Sequence, residues 1–414
     1  MPTPWMVLPF GLLLACMAVL PLHWPQWWER HYPKVTLALA ALTLAYYLFG
    51  LPPAALSTID RTARDYAGFI VLIGSLYIVS GGIHIQVKGE GSPGLNTLFL
   101  ALGGLVSNLL GTTGASVLLI RPWLRLNRQR AAVHHIVFFI FIVSNVGGCL
   151  TPIGDPPLLV GFLKGVPFWW VLQHCWPMWL LSMAFLLAVF YFIDRRHEAG
   201  ATRAPAETEP RWRFDGLWNL AFLAIVVAAV FVRRGRFLGE GLMAAAAAAS
   251  FLTTGREVHE ANEFSFRPMT EIAVLFFGIF ATMMPALDLL REDARQLFGP
   301  NLAPSLVYWG SGTLSAFLDS APAYLAFFSA MTGYGVHGAS AAARNFDGVI
   351  VAALSVATVL FGAVTYIGNG PNLMVKSIAD HQKVPTPTFV AYLFKWAVPI
   401  MLPLLLMLWI VFFR

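Results

Sequence analysis

Charged residues are scarce in this chain, which has 414 residues, of which only 12% are Asp, Glu, Lys or Arg. About a quarter of the residues of an ordinary soluble protein are charged, so this composition excludes that class. The net charge of +6 is then explained by loops of a membrane protein rather than by a nucleic-acid surface. We therefore expect the lipid bilayer as a partner and no nucleic acid.

Cysteines and enzyme motifs are also few. The three cysteines have neither CxxC nor metal-binding spacing, so no disulfide framework follows from them. Neither HExxH nor GxSxG occurs, so the sequence predicts neither an enzyme nor a bound cofactor. The N-terminus lacks the basic flank and the cleavage site of a signal peptide, and we expect a retained first helix there.

Long apolar runs are what the chain has instead. Hydrophobic residues make up 58% of it, and many runs exceed the roughly 18 residues that mark a transmembrane helix. The predicted spans cover residues 5–22, 34–51, 66–87, 168–193, 214–232, 238–255, 270–290 and 387–413. The sequence therefore predicts an all-α polytopic membrane protein, which we place in a bacterial inner membrane.

Two further apolar stretches are interrupted by glycine, proline and polar residues. Ser144–Pro157 reads SNVGGCLTPIGDPP, and Tyr366–Asn372 reads YIGNGPN. Glycine and proline disfavour a straight helix, so we predict broken helices over 131–164 and 346–380. Opened backbone at membrane depth must face protein or a watery cavity, and paired broken helices indicate a transport site.

Residues 92–120 and 303–333 are apolar with polar centres, and they are too short for two crossings, which need about 40 residues. We predict a re-entrant hairpin in each. Both halves then show the same order of three spans, a hairpin, a broken helix and a span. Five crossings in each half make 1–193 and 214–414 an inverted repeat, with 194–213 as the linker. The Lys and Arg bias makes the linker cytoplasmic and places both termini outside.

Asp155 and Asp319 are the two acids predicted at membrane depth. Each is either a cation or proton ligand or the cap of the helix that follows. Six neutral residues offer the oxygen atoms that hard monovalent cations prefer, although they can equally stabilise unwound backbone. They are Asn108, Thr112, Thr113, Thr151, Asn369 and Asn372. Glu271 is better explained as an interfacial cap, and His134 and His135 as interfacial side chains.

Three segments resemble the NhaD-type sodium/proton antiporters. They are SNVGGCLTPIGDPPLLVGFLKGVPF, LDSAPAY and YIGNGPNLMVKSIA. These antiporters belong to an ion transporter superfamily that also includes carriers of citrate, dicarboxylates and arsenite. The resemblance implies a homodimer, a fixed scaffold domain and a transport domain that moves like an elevator. It matches Asp155 and Asp319 to acidic positions, and Asn108, Thr151, Asn369 and Asn372 to polar ones.

The leading functional hypothesis is a secondary antiporter that exchanges Na⁺ or Li⁺ for protons. Both ions would compete for a site that contains Asp155 and Asp319. The alternative is a cation-coupled carrier of citrate or dicarboxylates, or an arsenite-type transporter. Two acids repel an anionic substrate, and no arginine lies at either break or either hairpin tip, so the antiporter is favoured.

Overall fold

The computed structural model describes residues 2–88, 91–199, 211–232, 237–289, 302–333 and 345–414, and these are mostly helical. The helices are α1 (Leu8–His23), α2 (Pro25–Ala45), α3 (Leu56–Gly81), α4 (Pro93–Leu126), α5 (Val133–Ile142), α6 (Pro156–Leu163), α7 (Trp170–Ala199), α8 (Asn219–Val230), α9 (Leu238–Thr253), α10 (Arg256–Ala261), α11 (Arg267–Thr282), α12 (Pro304–Phe317), α13 (Ser320–Gly333), α14 (Asn345–Phe361), α15 (Gly370–His381) and α16 (Phe389–Phe413).

Five helices are long and apolar enough to cross a membrane by length and composition, among the residues described. They are Gln26–Gly50, Leu56–Gly81, Pro93–Leu126, Trp170–Glu198 and Phe389–Phe413. Several shorter apolar helices accompany them. The predicted class, a mainly α-helical membrane protein, is confirmed at this level.

One short β-ribbon departs from the predicted all-α fold. Strand β1 (His84–Lys88) pairs antiparallel with β2 (Arg211–Asp215). The predicted span 66–87 ran across β1, because the alternating pattern of a short strand is hidden at the end of a long apolar run. The linker also begins later than predicted, since α7 continues to Ala199. Residues 200–210, the middle of the predicted linker, lie outside the described residues.

The long helix α4 folds back on itself at Gly111. This residue has φ 75° and ψ 154°, a positive-φ conformation that glycine adopts without the steric cost of a Cβ atom. The amide of Asn96 donates to Oδ1 of Asn127 at 2.7 Å, and the N–H of Gly91 donates to the carbonyl of Leu126 at 2.8 Å. The two ends of α4 therefore meet, and the segment is a hairpin with its tip at Gly111.

Apart from the short helix α10, the described helices pack in two groups. The peripheral group consists of α1, α2, α3, α8, α9 and α11, and the site group consists of α4–α7 and α12–α16. Helix α3 also packs against α4 and α6, so it lies at the junction of the two groups. Each group takes helices from both halves of the chain, and both helix breaks lie in the site group.

Candidate functional site

The first break lies between α5 and α6. After α5 ends at Ile142, a short 3-10 turn covers Val146–Gly148, and α6 begins at Pro156. Proline suits a first helical position because no N–H is needed there. Asp155, immediately before it, has extended backbone and makes no capping hydrogen bond with its side chain. The carboxylate is therefore not used as a helix cap and is available for other contacts.

The second break, between α14 and α15, is built in the same way. Asn369 precedes the first residue of α15, has extended backbone and makes no capping hydrogen bond with its side chain. The segment 365–371 reads TYIGNGP, and 151–157 reads TPIGDPP. Asn369 thus takes the place in the second break that Asp155 takes in the first.

A threonine makes equivalent hydrogen bonds in each break. Thr151 Oγ1 donates to the carbonyl of Asn108 at 2.6 Å and accepts the N–H of Gly154 at 3.0 Å. Thr365 Oγ1 donates to the carbonyl of Ala316 at 2.5 Å and accepts the N–H three residues further on at 3.1 Å. Each hydroxyl satisfies unwound backbone and ties its break to a neighbouring helical hairpin.

The carboxylate of Asp155 lies at the centre of the site and is 1% exposed. Its Oδ1 accepts hydrogen bonds from the hydroxyl of Thr112 at 2.6 Å and from the amide of Asn369 at 3.1 Å. Its Oδ2 is buried and has no hydrogen-bond partner among the described residues. A buried carboxylate oxygen without a partner is costly, so this atom is a candidate ligand for a bound ion or a proton.

Two asparagines connect the breaks across the site group. Asn369 donates to the carbonyl of Ser144 at 3.1 Å and to Oδ1 of Asn145 at 3.2 Å, in addition to Asp155. Asn145 in turn donates to Oδ1 of Asn372 at 2.7 Å. Neither Ser144 nor Asn145 was predicted from the sequence as a site residue. Their place inside the first interruption was the available signal, but nothing local distinguishes them from turn-forming residues.

Asp319 lies in the turn between α12 and α13. Its Oδ1 accepts the N–H of Ala321 at 3.1 Å, which is a local contact at the start of α13. The side chain is half-buried, and its charge is close enough to act electrostatically on Asp155. The two predicted acids therefore face the same region, Asp155 deeper than Asp319.

Three of the predicted neutral residues use their side chains to hold backbone. The amide of Asn108 donates to the carbonyl of Gly147 at 2.6 Å, and its Oδ1 accepts the N–H of Leu150 at 2.9 Å. The amide of Asn372 donates to two carbonyls of the second break, at 2.8 and 2.9 Å. Thr151 is engaged as described above. In this conformation these three side chains shape the breaks, whereas Thr112 and Asn369 contact the acid.

A small cavity opens beside Asp155. It is lined by the tip of the first hairpin, by the first break and by one face of α3. Thr112 and Thr113 contribute hydroxyl-bearing side chains, and Leu72, Ile73 and Leu76 contribute an apolar wall. The described residues that line it include no Lys, Arg or His. Among the described residues, the cavity therefore offers one carboxylate and two hydroxyl-bearing residues, and no positive side chain to an anion.

Comparison with known protein families matches residues 1–413 to a family model described as "Putative citrate transport". The chain belongs to this citrate transport family. No curated protein matches the chain. Membership in a transporter family confirms that the protein is not an enzyme, and it confirms the citrate transporter-like superfamily to which the sequence resemblance pointed.

In this family member, the other candidate residues lie outside the cavity. Glu271 is on α11 in the peripheral group and is exposed. His134 and His135 are buried, 4% and 1% exposed, and both contact Asp194. The interfacial position of these histidines stays a prediction, but their rings are buried against Asp194 rather than exposed. The sequence could not indicate this, because Asp194 was placed in the polar linker.

Proposed function

We propose that this protein is a secondary transporter that exchanges Na⁺ or Li⁺ for protons at the Asp155 site. The observation that carries the proposal is the buried, unpartnered Oδ2 of Asp155. An ionised carboxylate at this depth needs a positive partner, and the neutral form needs a proton. One oxygen can accept either, so a cation and a proton would replace each other there.

The surroundings favour a small hard cation as the partner. The carboxylate of Asp155 and the hydroxyl oxygen of Thr112 are oxygen ligands of the kind such cations prefer, while Asn369 presents its N–H to the same carboxylate. Asp319 supplies a second negative charge on the hairpin opposite. Together they provide attraction, and the described residues that line the cavity include no Lys or Arg as a fixed counter-ion, which is what reversible exchange requires.

The paired breaks support the proposed architecture of two inverted repeats. Equivalent threonine contacts and equivalent residues before α6 and α15 are expected if the halves share one plan. The two helix groups would then be the scaffold domain and the elevator-like transport domain, with α3 at their junction. A homodimer in the inner membrane, with both termini outside, completes the proposal.

Flux in proteoliposomes tests the exchange. The purified protein is reconstituted with a pH-sensitive dye inside, a proton gradient is set, and Na⁺, Li⁺ or K⁺ is added outside. Collapse of the gradient by Na⁺ or Li⁺, but not by K⁺, is the expected result. No response to any of the three cations would contradict the proposal.

Citrate transport is the second candidate, and the family description favours it. Citrate is an anion, so it would need cations at Asp155 and Asp319 before it could bind beside them. The same vesicles distinguish the candidates. Uptake of labelled citrate that depends on Na⁺ or on a proton gradient would replace antiport as the function.

Orientation is tested separately. A single cysteine is introduced at Ala206 in the linker, where an impermeant reagent should react only in inside-out vesicles. Reaction in right-side-out cells would reverse the proposed topology and leave the exchange site unaffected.

A further inference from the structure

Exposed arginines gather at the mouth of the first hairpin, where the two ends of α4 meet. Arg125 and Arg128, the first pair, lie in the last turn of α4 and in the turn after it. Arg195 and Arg196, the second pair, lie near the end of α7. All four residues are exposed. The hairpin mouth therefore presents positive charge to its surroundings.

Hydrogen bonds bring the two pairs to the same place. The amide of Asn96, at the start of α4, donates to Oδ1 of Asn127 at 2.7 Å and to Oδ2 of Asp194 at 3.0 Å. Arg130 donates to the same oxygen of Asp194. Asn127 lies within the first pair in the sequence, and Asp194 directly precedes the second pair. The four exposed arginines therefore lie in one region, where α4, the loop after it and α7 meet.

Positive charge exceeds negative charge in this region. Residues 125–130 and 194–198 together contain five arginines and two acids. The fifth arginine, Arg130, bonds to one of the acids, Asp194, and lies 3.9 Å from the other, Glu198. Among the described residues, none of the four exposed arginines forms an ion pair. Their charge is therefore not neutralised within the described part of the chain.

Three exposed arginines elsewhere in the structure differ, because each has an acid partner within 3.3 Å. They are Arg213 with Asp215, Arg256 with Glu260, and Arg267 with Glu29. The bias that orients a membrane protein counts Lys and Arg in loops, and acids contribute little to it. The lack of acid partners at the hairpin mouth is therefore an additional feature, and it favours an anion from outside the chain.

Apolar side chains lead along α4 towards the same region. Four leucines of its first arm are each at least 50% exposed and recur every three or four residues, so they share one face of the helix. They are Leu98, Leu102, Leu105 and Leu109. The first of them lies two residues after Asn96, at the hairpin mouth. This exposed face therefore runs from the mouth towards the tip.

Helix α7 has a similar exposed apolar face beside α4. The two helices pack antiparallel, since Asn96 meets Asp194 while Met183 packs against Gly104. Leu180 and Phe192 are exposed on α7, and the second pair of arginines follows Phe192 by one turn on the same side. Both apolar faces therefore end at the arginines.

We propose that the mouth of the first hairpin binds the headgroup of an anionic phospholipid. A phosphodiester carries negative charge on oxygen atoms that guanidinium groups bind well. Basic side chains at the end of a membrane-spanning helix attract such lipids, and the apolar faces of α4 and α7 are suited to the acyl chains. A free phosphate lacks these chains. The lipid would bridge α4 and α7, and its binding does not depend on the function proposed above.

Native mass spectrometry of the purified protein in detergent tests this site. Phosphatidylglycerol and phosphatidylcholine with the same acyl chains are titrated in turn, and the fraction of protein that carries the first lipid molecule is measured. We expect tighter binding of phosphatidylglycerol. A basic residue near the membrane surface contributes about fivefold to such binding, so the double variant Arg195→Gln/Arg196→Gln should bind it about thirtyfold more weakly. Binding of phosphatidylcholine should not change.

A second double variant, Arg125→Gln/Arg128→Gln, should show a similar loss. Arg256→Gln/Arg267→Gln is the matched control, because it removes two exposed arginines that have acid partners. It should bind phosphatidylglycerol within about twofold of the wild type. Size-exclusion chromatography checks that each variant is folded.

Three results would overturn the proposal. One is equal binding of the two lipids by the wild type, and another is an equal loss in the control variant, which would mean that net charge alone attracts the lipid. The third is displacement of phosphatidylglycerol by an equal concentration of glycerol phosphate, which would show a phosphate site that does not use the acyl chains. Cation flux is not part of this test, so a failure of the proposed exchange would leave the lipid site unaffected.

Discussion

The two helix breaks use nearly the same backbone plan but different side chains at the decisive position. Asp155 precedes α6, and Asn369 precedes α15. Both have extended backbone, both are buried, and neither caps its helix. The amide of Asn369 donates to the carboxylate of Asp155, so the two positions also contact each other.

This difference shows how a site can contain one buried acid rather than two at the equivalent positions of the breaks. Two facing carboxylates would repel each other and need two counter-charges, whereas an amide donates a hydrogen bond and adds no charge. The second acid, Asp319, instead comes from a hairpin turn and is half-buried. Substitutions that remove the difference in charge between the two breaks therefore test directly whether Asp155 holds the ion.

Asp155→Asn, which makes both breaks neutral, should have the largest effect. It removes the unpartnered oxygen and the buried negative charge at the centre of the proposed site, and losing a buried charge partner costs about 3 kcal/mol, or about a hundredfold in exchange rate. The collapse of a proton gradient on Na⁺ addition measures it, with insertion and folding checked by size-exclusion chromatography. Exchange near the wild-type rate would mean that the first break shapes the path without holding the ion.

Asp319→Asn should have the next largest effect. Its charge acts on Asp155 from the turn between α12 and α13, while its own carboxylate accepts the N–H of Ala321, so we expect a smaller decrease of about thirtyfold. The same flux assay applies. Asp288→Asn is the control, because Asp288 bonds to Tyr47 in the peripheral group. Equal loss in both variants would show a general effect of removing an acid.

The breaks themselves could be predicted from sequence because they depend on local residues. Glycines and prolines within Ser144–Pro157 disfavour helix wherever they occur, and the hairpin around Gly111 follows from run length and polar content. Asp155 was found because an acid inside an apolar interruption is unusual. These signals need no knowledge of distant contacts.

The remaining parts of the site depend on long-range contacts. Asn145 bonds to Asn372, 227 residues further along the chain, and no local pattern indicates that pairing. Asp194 was assigned to the linker because Arg and His residues follow it, yet α7 continues and buries it against two histidines. Burial of a polar side chain depends on which partners the fold brings to it.

Asn369→Ala should weaken cation binding while the exchange persists. It removes the amide that donates to Asp155 but no charge and no proton acceptor. Hydrogen bonds to charged groups contribute about 1.5 kcal/mol or more, so the apparent Na⁺ affinity should fall about tenfold with the maximal rate retained. Flux measured against Na⁺ concentration checks this, and a lost maximal rate at unchanged affinity would contradict it.

The same experiment tests how the apparent Na⁺ requirement changes with pH, and the direction of the change can be predicted. If Na⁺ and protons compete for Asp155, lowering the pH raises the apparent Na⁺ requirement without changing the rate at saturation. Asn369→Ala should be more sensitive to this, because loss of the N–H that stabilises the ionised carboxylate favours proton binding. A Na⁺ requirement that does not change between about pH 6 and about pH 8 would remove competition as the coupling mechanism.

The smallest effects are expected where the two breaks are most alike, at Thr151 and Thr365. Each hydroxyl donates to a hairpin carbonyl and accepts a backbone N–H, so Thr→Val at either position leaves the same groups unsatisfied. Each substitution should lower the free energy of unfolding by about 1–2 kcal/mol, and by similar amounts. Thermal unfolding of the purified protein in detergent measures both.

Valine has nearly the same shape as threonine, so a loss of stability in either variant arises from the missing hydrogen bonds. A clearly larger loss at one position would mean that the two breaks share a sequence pattern but contribute differently to the stability of the fold. Similar losses, combined with a larger change in Na⁺ affinity for Thr151→Val, would separate the common framework of the breaks from the proposed ion site at Asp155.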